Sequence, residues 1–263
     1  MSHIPDPAAP ESGPHRLREE DRLVMDASAS FGEVVNAPWF LVVDLMGTVA
    51  FALSGITIAR SEGYSIFGAI ILAWLPALGG GLIMDLIAGR NPPGILAQPA
   101  YMYAILITVL AVRAVLWLID LARGRWLLFF DLVQIYVTAR RRLKPMTLLV
   151  VFDSLGLAGF TVTGVFTAIQ FNCHPLELWG PAFAMMNACL GAILRDVVRA
   201  DAHNPILKGS FYAEIAVAAG LLLSLFVELA PPAAVGYGVV ATLLVVPAVR
   251  LMLYRRDARA PMF

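Results

Sequence analysis

The chain has 263 residues, 59% of them apolar and 14% charged, where an ordinary soluble domain is roughly 45–50% apolar and about 25% charged. Nineteen basic side chains balance nineteen acidic ones. Zero net charge argues against a nucleic-acid binder, and this much apolar sequence excludes disorder across the chain. The class that remains is an all-α integral membrane protein.

In chain order, residues 1–35 read as a disordered tail. They open MSHIPDPAAPESGPHRLREEDR, polar and proline-containing, without the apolar core of a signal peptide. Seven apolar stretches follow, each near the 20 or so residues that a membrane helix needs: 39–59, 64–88, 101–119, 148–169, 178–198, 211–229 and 233–253. Pro76 and the triplet Gly79-Gly80-Gly81 interrupt the second. Between the third and fourth lies WLLFFDLVQIYV (126–137), too short to cross and flanked by basic residues. It fits an amphipathic helix on the membrane surface, or an extension of the third helix. The units are therefore the tail, a first membrane repeat (36–120), a basic linker (121–147), a second repeat (148–230), and a seventh helix with its basic end (231–263).

Lysine and arginine placement orients the spans. The 121–147 linker is the most basic, with Arg140, Arg141, Arg142 and Lys144. It is expected in the cytoplasm, where this cluster can also meet anionic lipid headgroups. The C-terminus falls on the same side and the N-terminus outside. The tail is acidic and the body basic, so the overall neutrality is a sum of two opposite charges.

The chain also contains itself twice. VDLMGTVAFALSG (43–55) pairs with FDSLGLAGFTVTG (152–164), and GGGLIMD (79–85) with LGAILRD (190–196). Asp44 thereby aligns with Asp153, Gly47 with Gly156, Phe51 with Phe160, Ser54 with Thr163, Gly80 with Gly191 and Asp85 with Asp196. Each copy holds three spans, and an odd number makes the second copy enter from the opposite side. An inverted three-helix repeat plus a seventh helix is an architecture of transport proteins, whose sites form near mid-membrane.

Ionisable groups within spans cost on the order of 2.5–3.5 kcal/mol at a helix centre on insertion scales. Asp44, Asp85, Asp153 and Asp196 recur at matched positions, near opposite ends of the inverted halves. They suit the two mouths of a water-filled cation path, with Ser54 and Thr163 as small polar groups along it. The other reading is structural: these groups cap helices or pair with Arg113 and Arg195, with Glu214 a further member of such pairs. Pro76 with Gly79, Gly80 and Gly81, and more weakly Gly191, marks either a kink whose carbonyls line a pore or a site of close helix packing. No catalytic constellation, phosphate loop or dinucleotide fingerprint is present. Neighbouring Cys173 and His174 make no metal set, so neither metal nor cofactor is expected.

These paired blocks, with GRNPP after the first and NPIL after the second, resemble the bacterial branch of the trimeric intracellular cation channels, whose domain is also called a glycine transporter domain. The resemblance spans about residues 38–230. It implies seven helices per protomer, a homotrimer, one potassium-permeable pore in each protomer shaped by glycine-rich helices, and lipid between subunits. Two departures stand out. Met84 replaces the arginine expected before Asp85. The second glycine triplet is Leu190-Gly191-Ala192, while Arg195-Asp196 is kept. The expected function is a monovalent cation channel favouring potassium, with a secondary transporter of glycine or a similar small solute as the alternative. The expected partners are cations, lipid and two further copies, and not nucleic acid.

Overall fold

The structure is a computed structural model that describes residues 38–122, 145–200, 211–256 and 258. The expected tail disorder, the amphipathic segment at 126–137 and the basic cluster Arg140, Arg141, Arg142 and Lys144 lie outside these residues. The described chain is helical throughout. Its helices are α1 (Pro38–Ser61), α2 (Ile66–Ile87), the short α3 (Gly94–Ala97), α4 (Ala100–Ala122), α5 (Pro145–Gln170), α6 (Leu176–Val198), α7 (Ala213–Leu229) and α8 (Val235–Arg255). Six are long and apolar enough to cross a membrane. The seventh, α7, has 17 residues, the short end of the crossing range. It coincides with the sixth predicted stretch.

Burial is arranged inside out. Leu110, Trp117, Leu222 and Leu244 are exposed, while Asp85, Asp153, Asn187, Arg195 and Asp196 are buried. A protein solvated by hydrocarbon places its polar side chains inward, because lipid offers them no hydrogen bond. This is a multi-pass membrane protein.

The two halves meet about a two-fold axis that can be read from glycines. Aligned residues lie 109 apart in α1 and α5 and 111 apart in α2 and α6. A Cβ on Gly47 would lie 2.8 Å from the Phe160 ring, and one on its twin Gly156 would lie 2.4 Å from the Phe51 ring. The two rings themselves meet edge to face, centroids 5.1 Å apart. A Cβ on Gly80 would strike the Asn187 carbonyl at 2.1 Å, and one on Gly191 the Pro76 carbonyl at 2.7 Å. Pro76 and Asn187 are themselves twins. Residue i touching the twin of j, while j touches the twin of i, is the signature of a two-fold contact. In both pairs the register runs antiparallel, which makes the repeat inverted.

Within each half, one small residue admits a neighbouring backbone. Gly55 faces the Leu72 carbonyl and its twin Gly164 faces the Phe183 carbonyl. Pro76 has no N–H, so the Leu72 carbonyl loses its helical partner four residues on. Only a glycine lets α1 approach so near. The helix ends repeat as well. Gly63 and its twin Asn172 have positive φ, as do Gly89 and its twin Ala200, each just past a helix end where a left-handed residue turns the chain away.

α2 continues as a helix through Pro76 and the glycine triplet. The triplet's first use is close packing: Gly79 and Gly80 lie against α6, and Gly81 lies beside the Asn187 side chain. α8, outside the repeat, packs on α5 and α7.

Candidate ion path

The twin acidic sites are built alike and finished differently. At one end of the bundle, the start of α1, the end of α2, the start of α4 and the end of α5 surround a cavity of about 420 Å³. Asp44, Asp85, Arg90, Tyr101, Thr163 and Asn187 line it. The Tyr101 hydroxyl donates to Asp44 Oδ2 at 2.5 Å. Asp85 Oδ2 accepts the Gly94 backbone N–H at 2.6 Å, with Arg90 Nη1 3.6 Å from Oδ1. Asn187 Nδ2 donates to the Phe160 carbonyl at 3.1 Å and to Thr163 Oγ1 at 2.9 Å. Its own Oδ1 faces Gly81. Here two carboxylates line one cavity with a single partly exposed arginine, and Met84 is part of the same wall.

At the other end the end of α1, the start of α5 and the end of α6 meet α8. Asp153, the twin of Asp44, accepts at Oδ1 from Ser54 Oγ (3.0 Å) and Arg195 Nη1 (3.3 Å). Its Oδ2 lies 3.4 Å from Arg250 Nη2. Arg195, the twin of Met84, also donates from Nε to Asp196 Oδ1 at 2.8 Å and from Nη1 to Ser54 Oγ at 2.9 Å. Arg199 adds Nη1 to Asp196 Oδ1 at 3.2 Å and pairs with Glu62. Ser54, Asp153, Arg195 and Asp196 are all nearly inaccessible. An ion pair so deeply buried holds only because each carboxylate has several donors.

The structure thus brings Asp44, Asp85 and Thr163 together in one cluster and Ser54, Asp153, Asp196 and Arg195 in the other. Gly81 borders the cavity, whereas Gly79, Gly80 and Gly191 pack. Glu214 accepts the Tyr212 backbone N–H at 3.1 Å at the start of α7. Arg113, expected as a charge partner, instead lies exposed on the outward side of α4 with no ion pair among the described residues. One turn on, Trp117 is exposed on the same helix. Long cationic and indole side chains on the outside of a membrane helix reach toward the lipid interface.

Sequence reasoning missed Tyr101, Tyr212, Asn187, Arg90 and Arg250. The repeat carried one block further pairs Tyr101 with Tyr212 and would have found both tyrosines. Arg250 has no twin to betray it.

An inverted helical repeat enclosing paired acidic clusters defines a membrane transport fold. Comparison with known proteins gives the particular one. The family model described as Glycine transporter matches residues 41–117 and 150–228, the two halves without the linker. A UPF0126 membrane protein of Deinococcus radiodurans is 30% identical over 179 residues, covering 68% of this chain and 71% of that protein. The UPF0126 membrane protein YvgT of Bacillus subtilis is 29% identical over 184 residues, 70% and 79% of the two chains. Among solved structures, the TRIC trimeric intracellular cation channel orthologue from Rhodobacter sphaeroides shares the fold with a TM-score of 0.62 at 24% identity, over 83% of this chain and all of that one. A prokaryotic TRIC channel in 0.5 M KCl has the same TM-score at 18% identity, over 82% of this chain and 97% of that one. The chain belongs to the family that the matched model describes, the one its paired blocks resemble.

Proposed function

We propose that the protein is a monovalent cation channel, potassium favoured, with one path inside each protomer and three protomers in the assembly. The observation that carries this reading is the open cavity with Asp44 and Asp85 in its wall at one end of an inverted bundle. Two carboxylates balanced by a single arginine give that cavity a net attraction for cations, strengthened by its low-dielectric walls. The kinship of fold with proteins named as cation channels supports it. From the cavity the path runs past Thr163 and Asn187, between α1, α2, α5 and α6, toward Ser54 and Asp153. Under the charge rule for loops the cavity faces outside and the arginine-held cluster faces the cytoplasm.

A second reading is a secondary transporter of glycine or a similar small zwitterion. The description of the matched family favours it, as does Arg90 beside two carboxylates, which offers both charges such a solute needs. Purified protein in proteoliposomes separates the two. The channel reading expects potassium flux under an imposed voltage with no solute present. Concentrative glycine uptake that requires a proton or sodium gradient, with no uncoupled potassium current, overturns it.

A further inference from the structure

The twin carboxylates differ most in what holds their Oδ2 atoms. On Asp44 it is the Tyr101 hydroxyl, at 2.5 Å. The twin tyrosine, Tyr212, is fully buried, and its hydroxyl has no hydrogen-bond partner. Its expected acceptor, Asp153 Oδ2, is taken by Arg250 Nη2 at 3.4 Å. Arg250 comes from α8, the helix that the repeat does not explain. Its guanidinium lies over the Tyr212 ring, 4.1 Å from the centroid, and Nη1 donates to the Phe211 carbonyl at 2.9 Å. Buried Nε has no partner. A buried hydroxyl left without its partner and a guanidinium only partly satisfied describe an arrangement with a ready alternative. The first half displays that alternative, with tyrosine on carboxylate.

We infer that Arg250 is a tethered cation that occupies the ion position at Asp153, and that conduction requires it to withdraw while Tyr212 takes its place on Oδ2. This rests on the proposed cation path. A guanidinium is a permanent charge, so it competes with a permeant cation for the carboxylate at any physiological pH. The stack on Tyr212 and the bond to the Phe211 carbonyl keep it at hand after it leaves. α8 thereby acquires a task in the path: it carries the arginine that distinguishes the closed end from the open one. Arg195 stays on Oδ1 in both arrangements.

The test uses the full chain in proteoliposomes, with potassium flux as one readout and native Cys189 as the other. Cys189 is buried in the same core cluster as Tyr212 and Val246, the latter on α8 one turn before Arg250. In a Cys173→Ser background it reports entry of a small cationic thiol reagent into the closed half. Arg250→Gln is expected to raise flux about threefold or more, because flux limited by a released fraction rises with that fraction, and to make Cys189 reactive. Arg250→Lys, a more compact cation, is expected to fall between wild type and Arg250→Gln. Tyr212→Phe removes only a hydroxyl that has no partner in the closed arrangement, so a merely structural role predicts no change in flux. The inference predicts a several-fold decrease, since the released arrangement loses its bond, with Cys189 still protected. Folded Arg250→Gln protein with unchanged flux and protected Cys189 overturns the inference. Should that variant not yield monodisperse protein, unchanged flux in Tyr212→Phe overturns it alone. Should the wild type carry no potassium, the channel reading fails, and Cys189 labelling decides the arginine exchange by itself: reactive in Arg250→Gln supports it, protected overturns it.

Discussion

The two halves of this protein share a backbone plan and differ in where arginine stands. Around Asp44 and Asp85 the position before the second aspartate is Met84, a single arginine sits partly exposed at Asp85, and a cavity of about 420 Å³ remains. Around Asp153 and Asp196 the same position is Arg195, a second guanidinium arrives from α8, and the helices close. The inverted fold duplicates the carboxylates, and the arginines distinguish the copy that borders a cavity from the one that is locked in ion pairs. Backbone symmetry with chemical asymmetry would give the proposed path one accessible end and one guarded end.

The strongest way to break the contrast is to remove the lock. Arg195→Met strands Asp196 and Asp153 without their shared cation, and loss of one partner of a buried ion pair costs about 3–5 kcal/mol. The expected outcome is a lower unfolding temperature in detergent and poor assembly, while Met84→Ala in the twin position changes stability far less. Next come the glycines on the two-fold. Gly80→Ala and Gly191→Ala each drive a methyl into a backbone carbonyl of the opposite half, and overpacking of that kind costs about 1–3 kcal/mol. Equal losses in the two variants sharpen the view that the halves share one backbone plan. A clear inequality argues against it.

The reciprocal exchange, Met84→Arg, gives the open half the residue that closes its twin. Potassium flux is expected to fall about tenfold, which corresponds to about 1.4 kcal/mol on the barrier, with the fold retained. Unchanged flux would show that Met84 does not keep the cavity open. The smallest effect concerns a helix end. Ala200 stands at φ 53 where its twin Gly89 stands at φ 73, and a left-handed alanine costs roughly 1–2 kcal/mol. Ala200→Gly is expected to raise stability by up to about 1 kcal/mol, allowing for the entropy glycine adds to the unfolded chain, as read by thermal unfolding.

Much of this contrast is legible in the sequence. Hydropathy marks the helices because each must offer lipid an apolar exterior, and the repeat pairs the four aspartates because it aligns equal positions. What escapes is whatever breaks the symmetry. Arg250 belongs to the unpaired helix, so no alignment of halves points to its contact with Asp153. Arg195 and Asp196 are neighbours in sequence, and adjacency on a helix usually means different faces. The Arg195 side chain nevertheless folds back to bond both Asp196 and Asp153. Pro76 and the triplet suggest a pore-lining kink or, alternatively, close packing. Only the carbonyl of Asn187 against Gly80 and the Asn187 side chain beside Gly81 show that the triplet packs and borders the cavity at once. Arg113 reads as a buried charge in a linear pattern because periodicity does not say which side of α4 meets a neighbour.

The central claim is that one of two symmetry-related positions borders a cavity and the other is locked in an ion-pair cluster. Thr163 and Ser54 are twins, the first lining the cavity and the second bonded within the arginine cluster. Thr163→Cys and Ser54→Cys, each in a background with Cys173 and Cys189 replaced by serine, can be exposed to a small cationic thiol reagent reaching both faces of reconstituted vesicles. The account predicts that the cysteine at 163, which borders the cavity, is modified at least about ten times faster than the one at 54, which is buried in an ion-pair cluster. Equal rates, or faster modification at 54, would contradict it.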